Sequence, residues 1–169
     1  MTALEAQPPP FRLRPALPED GDFLFRLFAE NQPQLEPLRA QEAVWRQLVD
    51  IQYRGRAMTY SARFPHSMDS ILLDSSDMPI GRLLVDHGTG RDPLRWMLVD
   101  IALLAAHCGR GVGTAVLRQL LQQAAEAGAA VELQVTPFNR ARRLYERLGF
   151  QLVGQDMMGA DMVWRPAGF

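Results

Sequence analysis

Three places in this sequence hold residue types at spacings that could do chemistry. The first is Cys108-Gly109-Arg110-Gly111-Val112-Gly113-Thr114. It lies between an apolar run and a strongly amphipathic segment. Glycines there let a ligand approach the backbone, and free N–H groups at a helix start favour an anion such as a phosphate. A plain strand-to-helix turn would use the same glycines. A dinucleotide fingerprint fits poorly, because G-x-G-x-x-G begun at Gly109 ends on Thr114.

The second is Asp100, the one carboxylate within Met97 to Leu104. A carboxylate in an apolar strand must be partnered or have a raised pKa, and a raised pKa suits a general base. A structural aspartate bonded to a neighbouring loop is the alternative. The third runs from Asn139 to Phe150 and contains Tyr145 on the apolar side of a short helical pattern. Its hydroxyl must find a partner or face a cleft, though a core tyrosine would look the same. Arg140, Arg142, Arg143 and Arg147 fall on the opposite, solvated face.

The elements that must position these groups alternate in type. Phe11 to Arg14 reads as a short strand stopped by Pro15 and Pro18, and Pro18-Glu19-Asp20 opens a helix carrying Phe23, Leu24, Leu27 and Phe28. Asn31 to Pro37 reads as a loop. A second helix runs from Gln41 to about Tyr53, with a continuation to Phe64 weakened by Gly55. Ser70–Leu73 and Ile80–Val85 form a hairpin, Thr89–Pro93 a turn, and Arg95–Leu104 a longer strand.

A helix follows the glycine loop, with Val112, Val116, Leu120, Leu121 and Ala124 on one stripe and Gly128 at its end. Val131, Leu133 and Val135 alternate as a strand, and Asn139 is expected to cap the next helix. Phe150–Gln155 and Met162–Arg165 close the chain as a hairpin. The pattern is that of a single mixed α/β domain over residues 11–169, after a disordered proline-bearing tail over 1–10.

Composition narrows the chemistry. The 169 residues carry 18 basic and 19 acidic side chains, and every basic one is Arg. Without Lys there is no P-loop, no Schiff-base chemistry and no kinase strand lysine. A net charge of −1 gives no support for nucleic-acid or membrane-surface binding. One cysteine excludes an internal disulfide and fits a reducing compartment. With no signal-peptide pattern and no spanning run, a cytoplasmic location is expected. His66, His87 and His107 stand apart, so no metal site is expected.

The glycine loop and the Asn139 segment, in this order, resemble the GNAT family of N-acetyltransferases. Gly111 and Gly113 match the glycines of its Q/R-x-x-G-x-G/A motif. Asn139, Ala141, Leu144, Tyr145, Gly149 and Phe150 match its N-x-A-x-x-L-Y-x-x-x-G-F motif. Arg14-Pro15-Ala16 and Glu19-Asp20 are similar to its N-terminus, so the likeness spans about residues 11–166, with its specific part over 98–150.

The resemblance implies a mostly antiparallel sheet flanked by helices, with strands splayed at an acetyl-CoA site. It implies that backbone N–H groups from Gly109 to Thr114 hold the pyrophosphate, including Arg110 and Val112 between the glycines. Ile101, Ala102 and Leu103 would pair with the pantetheine arm, and N–H groups near Leu103 would polarise the thioester carbonyl. Asn139 and Arg142 would contact the cofactor, and Tyr145 would protonate the leaving thiolate. Cys108 departs from the family's Gln or Arg. A covalent role for it is not needed for direct transfer.

Asp100 is the first choice for the base, since it stands where some aminoglycoside acetyltransferases of the family carry an aspartate proposed for that role. Glu132 or a water chain is the fallback. Gln134 stands where some protein N-terminal acetyltransferases carry Glu, which favours a small-molecule amine. A protein N-terminus and a catalytically silent acyl-CoA-binding module are the other readings, and the resemblance makes a homodimer plausible. The acceptor site is expected at the first helices and the Ser70–Val85 hairpin, with Trp45, Tyr53, Tyr60 and Phe64 as candidate wall residues, core packing being the stronger reading of each.

Overall fold

Alternating apolar residues build the strands, and period-3.6 stripes build the helices that cover them. The structure, a computed structural model, describes residues 11–88, 92–137 and 139–168. The expected tail over 1–10, and residues 89–91 of the expected turn, lie outside the described residues. Seven strands form one sheet: β1 (Arg12–Pro15), β2 (Met68–Leu73), β3 (Pro79–Asp86), β4 (Arg95–Leu103), β5 (Ala130–Val135), β6 (Gln151–Gln155) and β7 (Ala160–Trp164). Their spatial order is β1-β2-β3-β4-β5-β7-β6, antiparallel except for the β4–β5 pair.

Helices α1 (Gly21–Glu30) and α2 (Glu42–Arg63) precede β2, α3 (Val112–Ala127) joins β4 to β5, and α4 (Arg142–Arg147) follows β5. The main core lies where the α3 stripe meets one sheet face, with Val116, Leu117, Leu120 and Ala124 against Leu72, Leu83, Leu98 and Val131. On the other side α1 and α2 enclose a smaller cluster of Phe28, Ala29, Leu35 and Val49.

Several boundaries differ from those read in the sequence. Helix α2 runs through Gly55 to Arg63, because Gly55 sits in open space and costs only its propensity, about 1 kcal/mol. Pro33–Leu38 is a 3-10 turn rather than an irregular loop. Helix α4 starts at Arg142, not at Asn139. The Asn139 Oδ1 accepts from the Ala141 N–H at 2.9 Å and shapes the turn before the helix instead of capping it.

Two irregularities in β4 shape the site. Leu84 pairs with Asp100 and Val85 with Leu98, so Val99 is an extra residue that bends the strand. Pairing of β4 with β5 stops at Leu98 and Leu133, although both strands continue. The two strands therefore splay, and residues 99–103 keep the edge facing β5 unpaired.

Candidate active site

The splay opens a cleft of about 1090 Å³ between β4 and β5. Asp100, Ile101 and Tyr145 line it, together with Gln134, Asn139 and Arg140. Tyr145 arrives on the buried side of α4, 7% exposed, with its ring against Phe150 at 5.6 Å. Burial and the nearby Asp100 charge push its phenol up to about 12, so it keeps its proton at any ordinary pH.

Asp100 is held from two sides. Arg56 Nη2, from α2, donates to its Oδ1 at 2.7 Å. Arg82 Nη1, from β3, stands 3.6 Å from Oδ2, too far for a hydrogen bond. Arg82 is committed instead to Asp69 through bonds of 2.8 and 2.7 Å. Burial raises the Asp100 carboxyl above its ordinary value, with Arg56 and Arg82 pulling against it.

The glycine loop leaves β4 through a 3-10 turn over Ala105–His107. Gly109 and Gly111 have φ of 71° and 82°, a conformation that favours glycine, and Gly111 caps α3 without a side-chain bond. The Ala115 N–H is the first to reach back into the helix, at 2.9 Å to Gly111 O. The N–H groups of Val112, Gly113 and Thr114 therefore belong to the helix start, where an anion is favoured. Gly113 lies against Leu103 and Leu144, which joins the loop to both β4 and α4. These features suit a phosphorylated, extended ligand running from α3 into the cleft.

The other expected site residues already have partners within the protein. Cys108 is exposed, with Sγ 3.6 Å from Leu104 O. Arg142 pairs with Glu146 at 3.1 Å, while Arg140 lines the cleft. The Leu103 carbonyl already accepts from Asn31 Nδ2 at 3.1 Å. Glu132 is bound by Arg95 through three hydrogen bonds and lines an outer groove, not the cleft beside Tyr145. Gln134 donates to Asp161 at 3.1 Å.

The expected acceptor wall divides. Tyr53 packs between Phe25 and Phe28 at 5.5 Å from each and lines a small cavity with Arg56, Arg82 and Asp100, whereas Trp45, half-buried against the same cluster, lines a separate open pocket on α1 and α2. Tyr60 and Phe64 do line open space, but with β4, β5 and β7 rather than with the β2–β3 hairpin. Arg56 went unnoticed in the sequence. Its signal was the i, i+4 pair with Tyr60 on the inner face of α2.

Comparison with known proteins agrees with this fold. A family model described as the acetyltransferase (GNAT) family matches residues 24–150. Among solved structures, the PaiA N-acetyltransferase of Thermoplasma acidophilum, in complex with coenzyme A, is 14% identical with a TM-score of 0.66. That match covers 92% of this chain and 98% of the other. An aminoglycoside acetyltransferase in complex with coenzyme A is 19% identical with a TM-score of 0.63, over 92% and 94% of the two chains. An acetyltransferase from Thermus thermophilus is 20% identical with the same TM-score, over 92% and 96%. No curated protein sequence matches the chain. These structures share the fold, and the family model over most of the length decides the kinship: the chain belongs to the GNAT acetyltransferase family.

Proposed function

We propose that this protein is an acetyl-CoA-dependent N-acetyltransferase acting on a primary amine, a small molecule in preference to a protein N-terminus. The observation that carries the reading is that Tyr145, still protonated up to about 12, and Asp100, raised by burial, line one cleft at the β4–β5 splay. The preference for a small amine rests on Gln134, which lines the same cleft and cannot take a proton.

Acetyl-CoA supplies the thioester carbonyl that the amine attacks. The first-turn N–H groups of α3 hold the pyrophosphate, and the free edge of Ile101–Leu103 pairs with the extended arm. As the C–N bond forms, Asp100 takes the proton from the attacking nitrogen on Oδ2, the oxygen without a hydrogen bond from Arg82. As the C–S bond breaks, the electron pair leaves on sulfur and Tyr145 supplies the proton that neutralises it. Both groups return to their starting state by exchange with water.

The test joins calorimetric titration of acetyl-CoA with thiol release on a panel of alkyl, aryl and polycationic primary amines. Turnover is expected, and Tyr145→Phe should lower kcat by about 10²- to 10⁴-fold while leaving acetyl-CoA affinity nearly unchanged. Binding without turnover on any amine would point to a silent acyl-CoA-binding module. Absence of acetyl-CoA binding would overturn the reading.

A further inference from the structure

Beyond the cleft, on the sheet face that carries α2, lies an outer groove of about 450 Å³. Phe64 from the end of α2, Met97 from β4 and Met158 from the β6–β7 connection form its apolar walls. Cleft and groove share Tyr60, Val99, Leu133 and Gln134 among their lining residues, so they meet at the splay. Tyr60 is thus on the path between the cofactor side and the groove.

The hydroxyl of Tyr60 is held in place. Arg56 Nε donates to it at 2.7 Å, and the same guanidinium donates through Nη2 to Asp100 at 2.7 Å. The guanidinium also lies over the rings of Phe28 and Tyr60, at 5.6 and 5.1 Å. One planar group therefore fixes the Tyr60 oxygen a guanidinium's breadth from the Asp100 carboxylate. A hydroxyl oxygen has two lone pairs, and Arg56 occupies one. Burial raises the phenol above its ordinary value, so it stays neutral.

We propose that Tyr60 receives the acceptor's nitrogen, its free lone pair accepting an N–H of the amine, while the groove beyond it holds the rest of the acceptor. This rests on the acetyltransferase reading above. Arg56 is the positioning residue that keeps the tyrosine oxygen beside the carboxylate, so an amine bound there delivers its proton over a short path. Gln134, another polar side chain shared by cleft and groove, is already engaged with Asp161.

The experiment uses the full chain with hexylamine, phenethylamine and spermidine as probes. Tyr60→Phe should raise the amine KM at least tenfold on whichever probe the wild type uses best, with acetyl-CoA affinity within twofold of wild type. A lost general fold would weaken acetyl-CoA binding as well, so this split separates contact from structure. A second measurement needs no Tyr60 variant. In Tyr145→Phe protein, saturating amine should perturb the near-ultraviolet tyrosine absorbance. An unchanged amine KM in a Tyr60→Phe protein that binds acetyl-CoA, or a flat difference spectrum at saturation, overturns the assignment of Tyr60 alone. Failure of the wild type to turn over any amine overturns the acetyltransferase reading and this inference with it.

Discussion

Arg56 Nη2 stands 2.7 Å from Asp100 Oδ1, joining the inner face of α2 to the one carboxylate of β4. The contact continues on both sides, since Asp100 faces Arg82, which is bonded to Asp69, and Arg56 is bonded to Tyr60. Two carboxylates and two guanidinium groups balance one another under the helix. The same aspartate thus ties the helix to the sheet and faces the cleft. With Asp100 as the proposed base, proton transfer and stability would be coupled at this residue.

Removing Arg56 should cost both. Loss of one member of a buried pair costs about 3–5 kcal/mol. The Arg56 side chain is 35% exposed, so we expect roughly 1–3 kcal/mol for Arg56→Leu by urea unfolding. The double variant Arg56→Leu/Asp100→Asn should lose less than the sum of the single variants, because the uncompensated carboxylate is gone.

The pH–rate profile should show the same carboxylate. Burial holds the Asp100 pKa above its ordinary 3.8 in the folded state. The protonated form is therefore favoured by folding. That contribution is complete below 3.8 and is lost as pH rises through the folded value. For a base the consequence is an acidic limb of kcat/KM lying above 3.8. Arg56→Leu should move this limb further up, and Asp100→Asn should abolish it.

The three tyrosines offer an independent check on burial. Desolvation raises all three phenols, Tyr53, Tyr60 and Tyr145, above the ordinary 10, and Tyr145 reaches about 12. Absorbance titration should show fewer than half of the tyrosines ionised at pH 10, and Tyr145→Phe should remove the component near 12. A folded pKa above the unfolded one contributes stability below pH 10 that is lost between 10 and about 12. Tyr145→Phe should therefore be less sensitive to alkali over that interval.

The sequence disclosed the glycine loop and the elements around it because their signals are local. Gly109 and Gly111 need their positive φ, and the α3 stripe needs its period, whatever surrounds them. Asp100 was visible as a polar residue in an apolar strand. Its partners were not, since Arg56 is 44 residues away and its side chain reads like any helix-surface arginine. The β4–β5 splay was equally hidden from residue patterns, because the Val99 bulge comes from pairing with β3. The division of the candidate wall residues has the same origin. Tyr53 and Tyr60 share α2, and only the line along which α2 crosses the sheet sets which cavity each one lines.

Between β1 and α1, Arg14 grips Asp20 through bonds of 2.6 and 2.7 Å, and the Leu17 N–H adds a third at 2.8 Å. The arginine hydrogen bonds hold the Asp20 carboxyl below its ordinary value. The stability this gives is present above 3.8 and lost as pH falls through the folded value. Acid unfolding followed by circular dichroism should be less steep in Asp20→Asn, which is also less stable at neutral pH. The effect should be absent from acetyl-CoA affinity, because the pair fixes where α1 leaves β1 and lines neither the cleft nor the outer groove.

Two glycines of the loop should respond with opposite signs. A Cβ on Gly111 would meet nothing within 4 Å, but φ there is +82°. Gly111→Ala should therefore destabilise by about 1–2 kcal/mol through backbone strain alone. Gly113 lies inside α3 with ordinary helical φ, and its Cβ would sit 3.7 Å from Leu103 Cδ1, a normal contact. Gly113→Ala should raise the unfolding free energy by about 0.5–1 kcal/mol, as expected for a helix position. The new methyl group faces Leu103 and Leu144 and leaves the first-turn N–H groups free, so if these groups receive the pyrophosphate this variant should bind acetyl-CoA as tightly as wild type. Thermal unfolding and calorimetry on the same samples would read both effects. A Gly113→Ala protein that is stabilised yet binds acetyl-CoA about tenfold more weakly would mean that the ligand, and not Leu103 and Leu144 alone, meets the space beside Gly113.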